Sequence, residues 1–192
     1  MQLLEDHQFY ANPSKCAFSL KEVEYLGHIV SHEGVKVDPK KIKAIMEWPI
    51  PKTIKKLRGF LGLTGYYRRF VKNYGSIAAP LTTLLKKDSF HWNESANTTF
   101  ERLKEAMCTT PVLATPDFTK EFIVECDASG NGIGAVLMQE GRPIAFESGQ
   151  LKGKNLLKPI YEKEMLAILH AVNNGGLIYW VDISRLRQIM IA

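Results

Sequence analysis

The stretch Glu121-Phe122-Ile123-Val124-Glu125-Cys126-Asp127 runs into the turn Gly130-Asn131-Gly132, then Ile133 to Gln139, a second turn at Glu140-Gly141, and Pro143 to Phe146. Apolar and polar residues alternate along these runs, and glycines mark the connections, so the pattern predicts a three-stranded antiparallel meander. Period two sets Phe122, Val124 and Cys126 on one face and Ile123, Glu125 and Asp127 on the other. The next periodic segment, Tyr161 to Val172, has helical spacing. Packed across the meander, that helix could bring Glu164 beside Asp127. Two carboxylates on rigid elements repel unless a cation lies between them, and a hard ion such as Mg2+ is held through oxygen. The plainer alternative is a turn-forming Asp at a strand end and a solvated helix Glu.

Upstream of the meander, Trp92, Ala96, Phe100, Leu103 and Met107 recur at steps of three and four and predict an amphipathic helix. A linker at Asp88 to His91 and a short helix from about Ile77 to Lys86 precede it. Further back, Thr53 caps a longer helix whose apolar residues are Ile54, Leu57, Leu61, Thr64 and Val71. Lys55, Gly59, Gly62, Tyr66 and Arg69 share its other side. Glycine costs a helix about 1 kcal/mol against alanine, so Gly59, Gly62 and Gly65 need compensation. Close packing of another helix would supply it. So would a phosphate–sugar strand lying in a groove ringed by Lys55, Arg58, Arg68, Arg69 and Lys72.

Asp38-Pro39 predicts a further helix start, with Ile42, Ile45 and Met46 as its apolar stripe and Pro49 and Pro51 beyond its end. Before it, Val23 to Val30 and Val35 to Val37 alternate around Ser31-His32-Glu33-Gly34 and read as two short antiparallel strands.

The chain of 192 residues carries a net charge of +5. Residues 51–91 hold nine Lys or Arg against the single acid Asp88, and the flanking segments are slightly acidic. A basic block inside a balanced chain is the footprint expected for a polyanion partner, or else a solvated helix face. No apolar run reaches the length of a membrane span and no signal peptide opens the sequence, so an intracellular address, cytoplasm or nucleus, is expected. The three cysteines have no C-x-x-C spacing, which excludes a zinc knuckle and a disulfide framework and predicts mostly buried thiols. Gly130-x-Gly132-x-Gly134 enters a strand rather than a helix and is no dinucleotide loop. No H-E-x-x-H pair and no nucleophile elbow occurs.

Taken together, several strings resemble one family. They are Tyr25-Leu26-Gly27-His28, Asp38-Pro39-x-Lys41-Ile42, Trp48-Pro49-x-Pro51, Leu57-Arg58-Gly59-Phe60-Leu61-Gly62-Leu63 and Tyr66-Tyr67-Arg68-Arg69-Phe70. Phe90-x-Trp92, Pro111-Val112-Leu113-Ala114-x-Pro116-Asp117-Phe118, Asp127-Ala128-Ser129 and Tyr161-Glu162-Lys163-Glu164-x-Leu166-Ala167-Ile168 continue them. Over about residues 3 to 172 the order is that of the Pol polyprotein of gypsy-type LTR retrotransposons, between the polymerase palm and ribonuclease H.

The resemblance implies an α/β (α+β) architecture. Residues 1–37 would be the end of the palm with a primer-grip-like hairpin, 38–90 a helical thumb, and 91–192 an incomplete ribonuclease H-like domain, aberrant after about 172. Tyr25, Leu26, Gly27 and His28 would place a primer terminus. Lys55, Arg58, Gly59, Gly62, Tyr66, Arg68, Arg69 and Lys72 would hold a template–primer duplex or RNA–DNA hybrid. Asp127 and Glu164 match the first two acidic ligands of a site that cuts RNA with Mg2+. The implied activity is RNA-directed DNA synthesis with hybrid ribonuclease activity, alongside the remainder of a Pol polyprotein and with no membrane partner. A non-catalytic nucleic-acid-binding remnant is the alternative.

The sequence also departs from the family. The palm aspartates would precede Met1, so polymerisation by this chain alone is not expected. After Val172 the family's third acidic ligand, in Thr-Asp-His, is missing, as is the fourth, and Asp182 takes no role. With permitted codons, a shift of one base near Asn173-Asn174 turns the tail into W-R-L-N-L-L-G-R-H-F-K-I-K-T-D-H-D-S. Loss of one base is therefore the expected origin of the tail, leaving the closing strand replaced and the domain poorly closed.

Overall fold

The computed structural model describes residues 6–10, 12, 16, 18–174 and 186–191. Three strands, β1 (Glu22–Tyr25), β2 (His28–Ser31) and β3 (Gly34–Val37), form an antiparallel meander. This is one strand more than the alternation suggested. Leu26 and Gly27 both take positive φ, 49° and 77°, which makes the tight two-residue turn that the run from Val23 to Val30 concealed.

Helix α1 (Pro39–Met46) starts where expected: the Asp38 carboxylate accepts from Lys40 N at 2.8 Å, and proline stands in the first turn. Helix α2 (Ile54–Tyr66) is capped by Thr53, whose hydroxyl accepts from Lys56 N at 3.3 Å. Its buried stripe is Leu57, Phe60 and Thr64, with Leu61 only half-buried, so the expected stripe is rotated toward Phe60. A 3-10 turn, Arg68–Phe70, follows, which takes Arg69 and Val71 off the helix. Helix α3 (Tyr74–Thr83) begins three residues before the expected start at Ile77, after Asn73 reverses the chain at φ 58°. Helix α4 (Glu94–Cys108) buries Ala96, Phe100, Leu103 and Met107 as the spacing required. These helices share one core with Val37, Ile45, Phe70, Leu81 and Leu113, so α4 packs with the helical region that precedes it.

The second core lies between a four-stranded sheet and helix α5 (Ile160–Asn174). The predicted meander is β4 (Phe122–Ser129), β5 (Gly132–Gln139) and β6 (Arg142–Gln150), with β6 longer than expected. Strand β7 (Leu186–Ile191) adds parallel to β4, giving the order β6-β5-β4-β7. Residues 186–191, part of the tail expected to replace the closing strand, pair on that open edge and are rich in the aliphatic types that do so. Asp182, like the rest of residues 175–185 that follow the expected shift, lies outside the described residues. Phe122, Val124, Cys126 and Ala128 are buried and the residues between them, Ile123, Glu125 and Asp127, are not, as period two required. Of the thiols, only Cys126 is buried, and burial pushes it up to about 11; Cys16 and Cys108 are exposed, against expectation.

The two sheets are joined by one short extended segment. Val35 and Leu113 exchange both backbone hydrogen bonds at 2.8 Å, and Ala114 N donates to Pro143 O of β6 at 2.7 Å. Gly34 makes room for this: a Cβ there would lie 2.0 Å from the Leu113 carbonyl oxygen, and its φ is 134°. No described helix is long and apolar enough to cross a membrane.

Candidate functional site

The buried stripe of α2 dictates what its other side presents. Because Leu57, Phe60 and Thr64 face the core, Lys55, Arg58, Gly59, Gly62 and Tyr66 face outward and are exposed, and the turn that follows exposes Arg68 and Arg69, with Lys72 just beyond. Among the described residues none of these cations has an ion-pair partner. Lys36, Lys40, Lys43, Lys104, Lys120 and Lys158, elsewhere in the chain, all have one. The Arg68 charge does reach the buried Glu147. Burial raises the Glu147 carboxyl, but the His170 imidazole 3.7 Å away and Arg68 together leave it below the ordinary carboxylate range.

The three helix glycines separate. A Cβ on Gly59 would meet the Trp48 indole at 3.5 Å, and one on Gly65 would meet the Tyr74 hydroxyl at the same distance, both ordinary contacts. A Cβ on Gly62 would meet nothing within 4 Å. Packing within the described chain therefore does not require glycine at Gly62, and alanine would serve the helix better.

The β1–β2 turn is fastened to the end of α2. The Tyr66 hydroxyl donates to Leu26 O at 2.9 Å, and the Tyr67 hydroxyl donates to Gly27 O at 3.0 Å. Burial, with Tyr66 and Asp38 nearby, holds the Tyr67 phenol above its ordinary value, so it remains a donor. The His28 ring lies 5.4–5.5 Å from the rings of Tyr66, Tyr67 and Phe70. Tyr25 and Leu26 remain exposed. Sequence reasoning set Tyr25, Leu26, Gly27 and His28 at a primer terminus and Tyr66 on the duplex-holding face, and gave Tyr67 and Phe70 no role. The cluster Tyr66-Tyr67-Arg68-Arg69-Phe70 was the available signal, since aromatic residues interleaved with cations seldom all face water.

Asp127 lies near the end of β4, and Glu164 lies in the first half of α5, the helix that covers one face of that strand. Helix α5 covers the face of Val124, Cys126 and Ala128 through Ala167 and Ala171, and Glu164 lies one turn before Ala167 on that stripe. Its neighbour Lys163 donates to Gly130 O at 3.3 Å, which sets the start of α5 over the β4–β5 turn. Asp127, opposite Gly134 in the ladder, belongs to the other face. There it lines a narrow cleft with Lys72, Asn73, Glu125 and Gly134. Among the described residues no three His, Cys, Asp or Glu side chains come together as a metal site. The donor set in the described residues therefore does not fit a pair of divalent ions.

Comparison with known proteins agrees with this architecture. Residues 92–176 match the RNase H-like domain found in reverse transcriptase. An uncharacterized mitochondrial protein of Arabidopsis thaliana is 58% identical over 64% of this chain and 79% of its own length. The retrovirus-related Pol polyproteins from transposons 297 and gypsy of Drosophila melanogaster are 45% and 41% identical over 88% and 90% of this chain. The chain spans only 16% and 18% of those two polyproteins. Among solved structures, the foamy viral protease-reverse transcriptase in complex with RNA/DNA hybrid superposes with TM-score 0.79 at 23% identity, over 93% of this chain and 24% of that one. Its dRH form in complex with ds DNA gives TM-score 0.84 at 22% identity, over 99% and 34%. Fold and sequence thus converge: the chain belongs to the family of gypsy-type retrotransposon Pol polyproteins and corresponds to a stretch of them that includes the RNase H-like region of reverse transcriptase.

Proposed function

We propose that this chain serves as the thumb and RNase H-like part of a reverse transcriptase, and that its own contribution is to grip an RNA–DNA hybrid or template–primer duplex. The observation that supports this best is the set of cations on α2 and the turn after it, exposed and without ion-pair partners, around a glycine that packing leaves open. Lys55, Arg58, Arg68, Arg69 and Lys72 meet phosphates, Gly59 and Gly62 let the sugar–phosphate strand approach, and Tyr66 stands at the end of the groove. Tyr25, Leu26, Gly27 and His28 set the position of the primer strand relative to that groove, because Tyr66 and Tyr67 tie their turn to α2. The domains are read as 1–37, 38–90 and 91–192, with α4 and Leu113 of the last packed into the core of the helices before it.

Gly62→Leu tests this directly. The substitution removes a helix-weakening glycine from an open position, so the thermal midpoint should rise or hold while affinity for a fluorescein-labelled hybrid falls about tenfold through steric exclusion of the backbone. Unchanged affinity in anisotropy titrations would remove the groove from the interface.

Hybrid cleavage is a separate matter. Asp127 and Glu164 are the residues that would hold Mg2+, and two carboxylates offer too few oxygens and too little charge for two ions. The expected result is weak Mg2+ binding and negligible release of RNA fragments from a labelled hybrid. Turnover that Asp127→Asn abolishes would show the site to be complete by other means.

A further inference from the structure

The small sheet is amphipathic. Its registers pair Tyr25 with His28 and Val30 with Val35, so these four share a face, and the opposite face carries Glu22, Glu24 and Lys36, which enter ion pairs at its surface. The apolar face does not close against the rest of the chain. Between it and the end of the second core lies a cavity of about 540 Å3. Tyr25, Val30 and Val35 form one wall, and Phe122, Leu137 and Ile144 another. A space of this size is within the range of small-molecule sites, whose walls are mostly apolar with a few polar groups that fix orientation. The space opens to solvent past Tyr25, Val30 and Phe118, which are exposed, so a ligand can enter it from outside. The ionisable side chains on the lining are Arg69, His28 and Tyr25, and no carboxylate is among them. His28 is occupied by its ring contacts with Tyr66, Tyr67 and Phe70, whereas Arg69 is exposed and without an ion-pair partner among the described residues.

We propose that this cavity binds a small amphipathic monoanion, an apolar ring system seated against the small sheet with its acidic group at the Arg69 guanidinium. The charge of the lining favours an anion over a cation, and a single exposed arginine sets a modest preference rather than an absolute one. The site is distinct from the groove on α2, although Arg69 stands at the edge of both, and its occupancy can be read without any nucleic acid present.

The test uses the full chain and two dyes that share one ring system. 8-Anilinonaphthalene-1-sulfonate carries the anion, and N-phenyl-1-naphthylamine lacks it. Fluorescence titration should give one saturable site per chain, with the sulfonate bound more tightly. Arg69→Gln should weaken the sulfonate about fivefold, leaving the neutral dye unchanged. Val30→Trp places a large side chain in the cavity from a partly exposed strand position and should abolish both. Its circular dichroism, unfolding midpoint and duplex affinity, all expected to match the parent, separate filling from misfolding. Methyl shifts of Val30 and Val35 on adding the sulfonate to the parent chain give a second localisation independent of any variant. Dye binding untouched by Val30→Trp, equal affinity for the two dyes in the parent chain, or shifts elsewhere than these valines would each overturn the proposal.

Discussion

Raising monovalent salt from about 50 to about 200 mM is expected to weaken duplex binding by roughly 500-fold, if the five cations Lys55, Arg58, Arg68, Arg69 and Lys72 each neutralise one phosphate. Each contact releases condensed counterions, so the logarithm of affinity falls with the logarithm of salt at a slope of about −0.9 per phosphate, or about −4.5 for five. The absence of ion-pair partners for these side chains among the described residues matters here, because no internal pair has to be broken before a phosphate is met. Anisotropy titrations at several salt concentrations measure the slope, and each Lys→Gln or Arg→Gln change should reduce its magnitude by about one unit. Sequence preference should be slight. Affinity that stays level across the titration would exclude this face as the binding surface.

Phe60→Ala should destabilise the chain by about 3–5 kcal/mol, a large share of the roughly 5–15 kcal/mol typical of a folded domain. Phe60 is fully buried, its ring centroid lies 4.5 Å from that of Phe100 and 6.0 Å from that of Trp48, and it joins α2 to α4. Removing the ring leaves a cavity lined by aromatics that cannot collapse without moving a helix. Urea unfolding followed by circular dichroism measures the loss, with Leu61→Ala, at a half-buried position, as the milder comparison. A cost near that of Leu61→Ala would mean that α2 is anchored by other residues.

The parts of the fold legible in the sequence are those where one period dominates. Strand β4 and helix α4 have clean periods of two and about 3.6, and the residues expected to be buried on them are buried. Legibility failed where the backbone does something local. A leucine at φ 49° inside an alternating run hid a turn, and Asn73 at φ 58° started α3 earlier than its apolar spacing suggested. The α2 stripe was placed one residue off because Leu57, Phe60, Leu61 and Thr64 are all compatible with a single face, and only the position of Phe100 and Trp48 selects Phe60. For the site, the basic block was visible as charge density, but which glycine is open and which is packed depends on Trp48 and Tyr74, residues that no local pattern connects to Gly59 and Gly65. Alternation and the following helix suggested Asp127 with Glu164 and the resemblance strengthened the pair, while α5 covers the β4 face of Val124, Cys126 and Ala128 rather than that of Asp127.

The seam at Val35, Leu113, Ala114 and Pro143 turns two sheets into one hydrogen-bonded span from β1 to β7. A pull on the hairpin tip, such as a strand drawn across Leu26, would load this span in shear along consecutive backbone bonds rather than peel it at a loop. Amide exchange at Val35, Leu113 and Ala114 should accordingly be as slow as in the interior of β5, and the two sheets should release together when the chain opens.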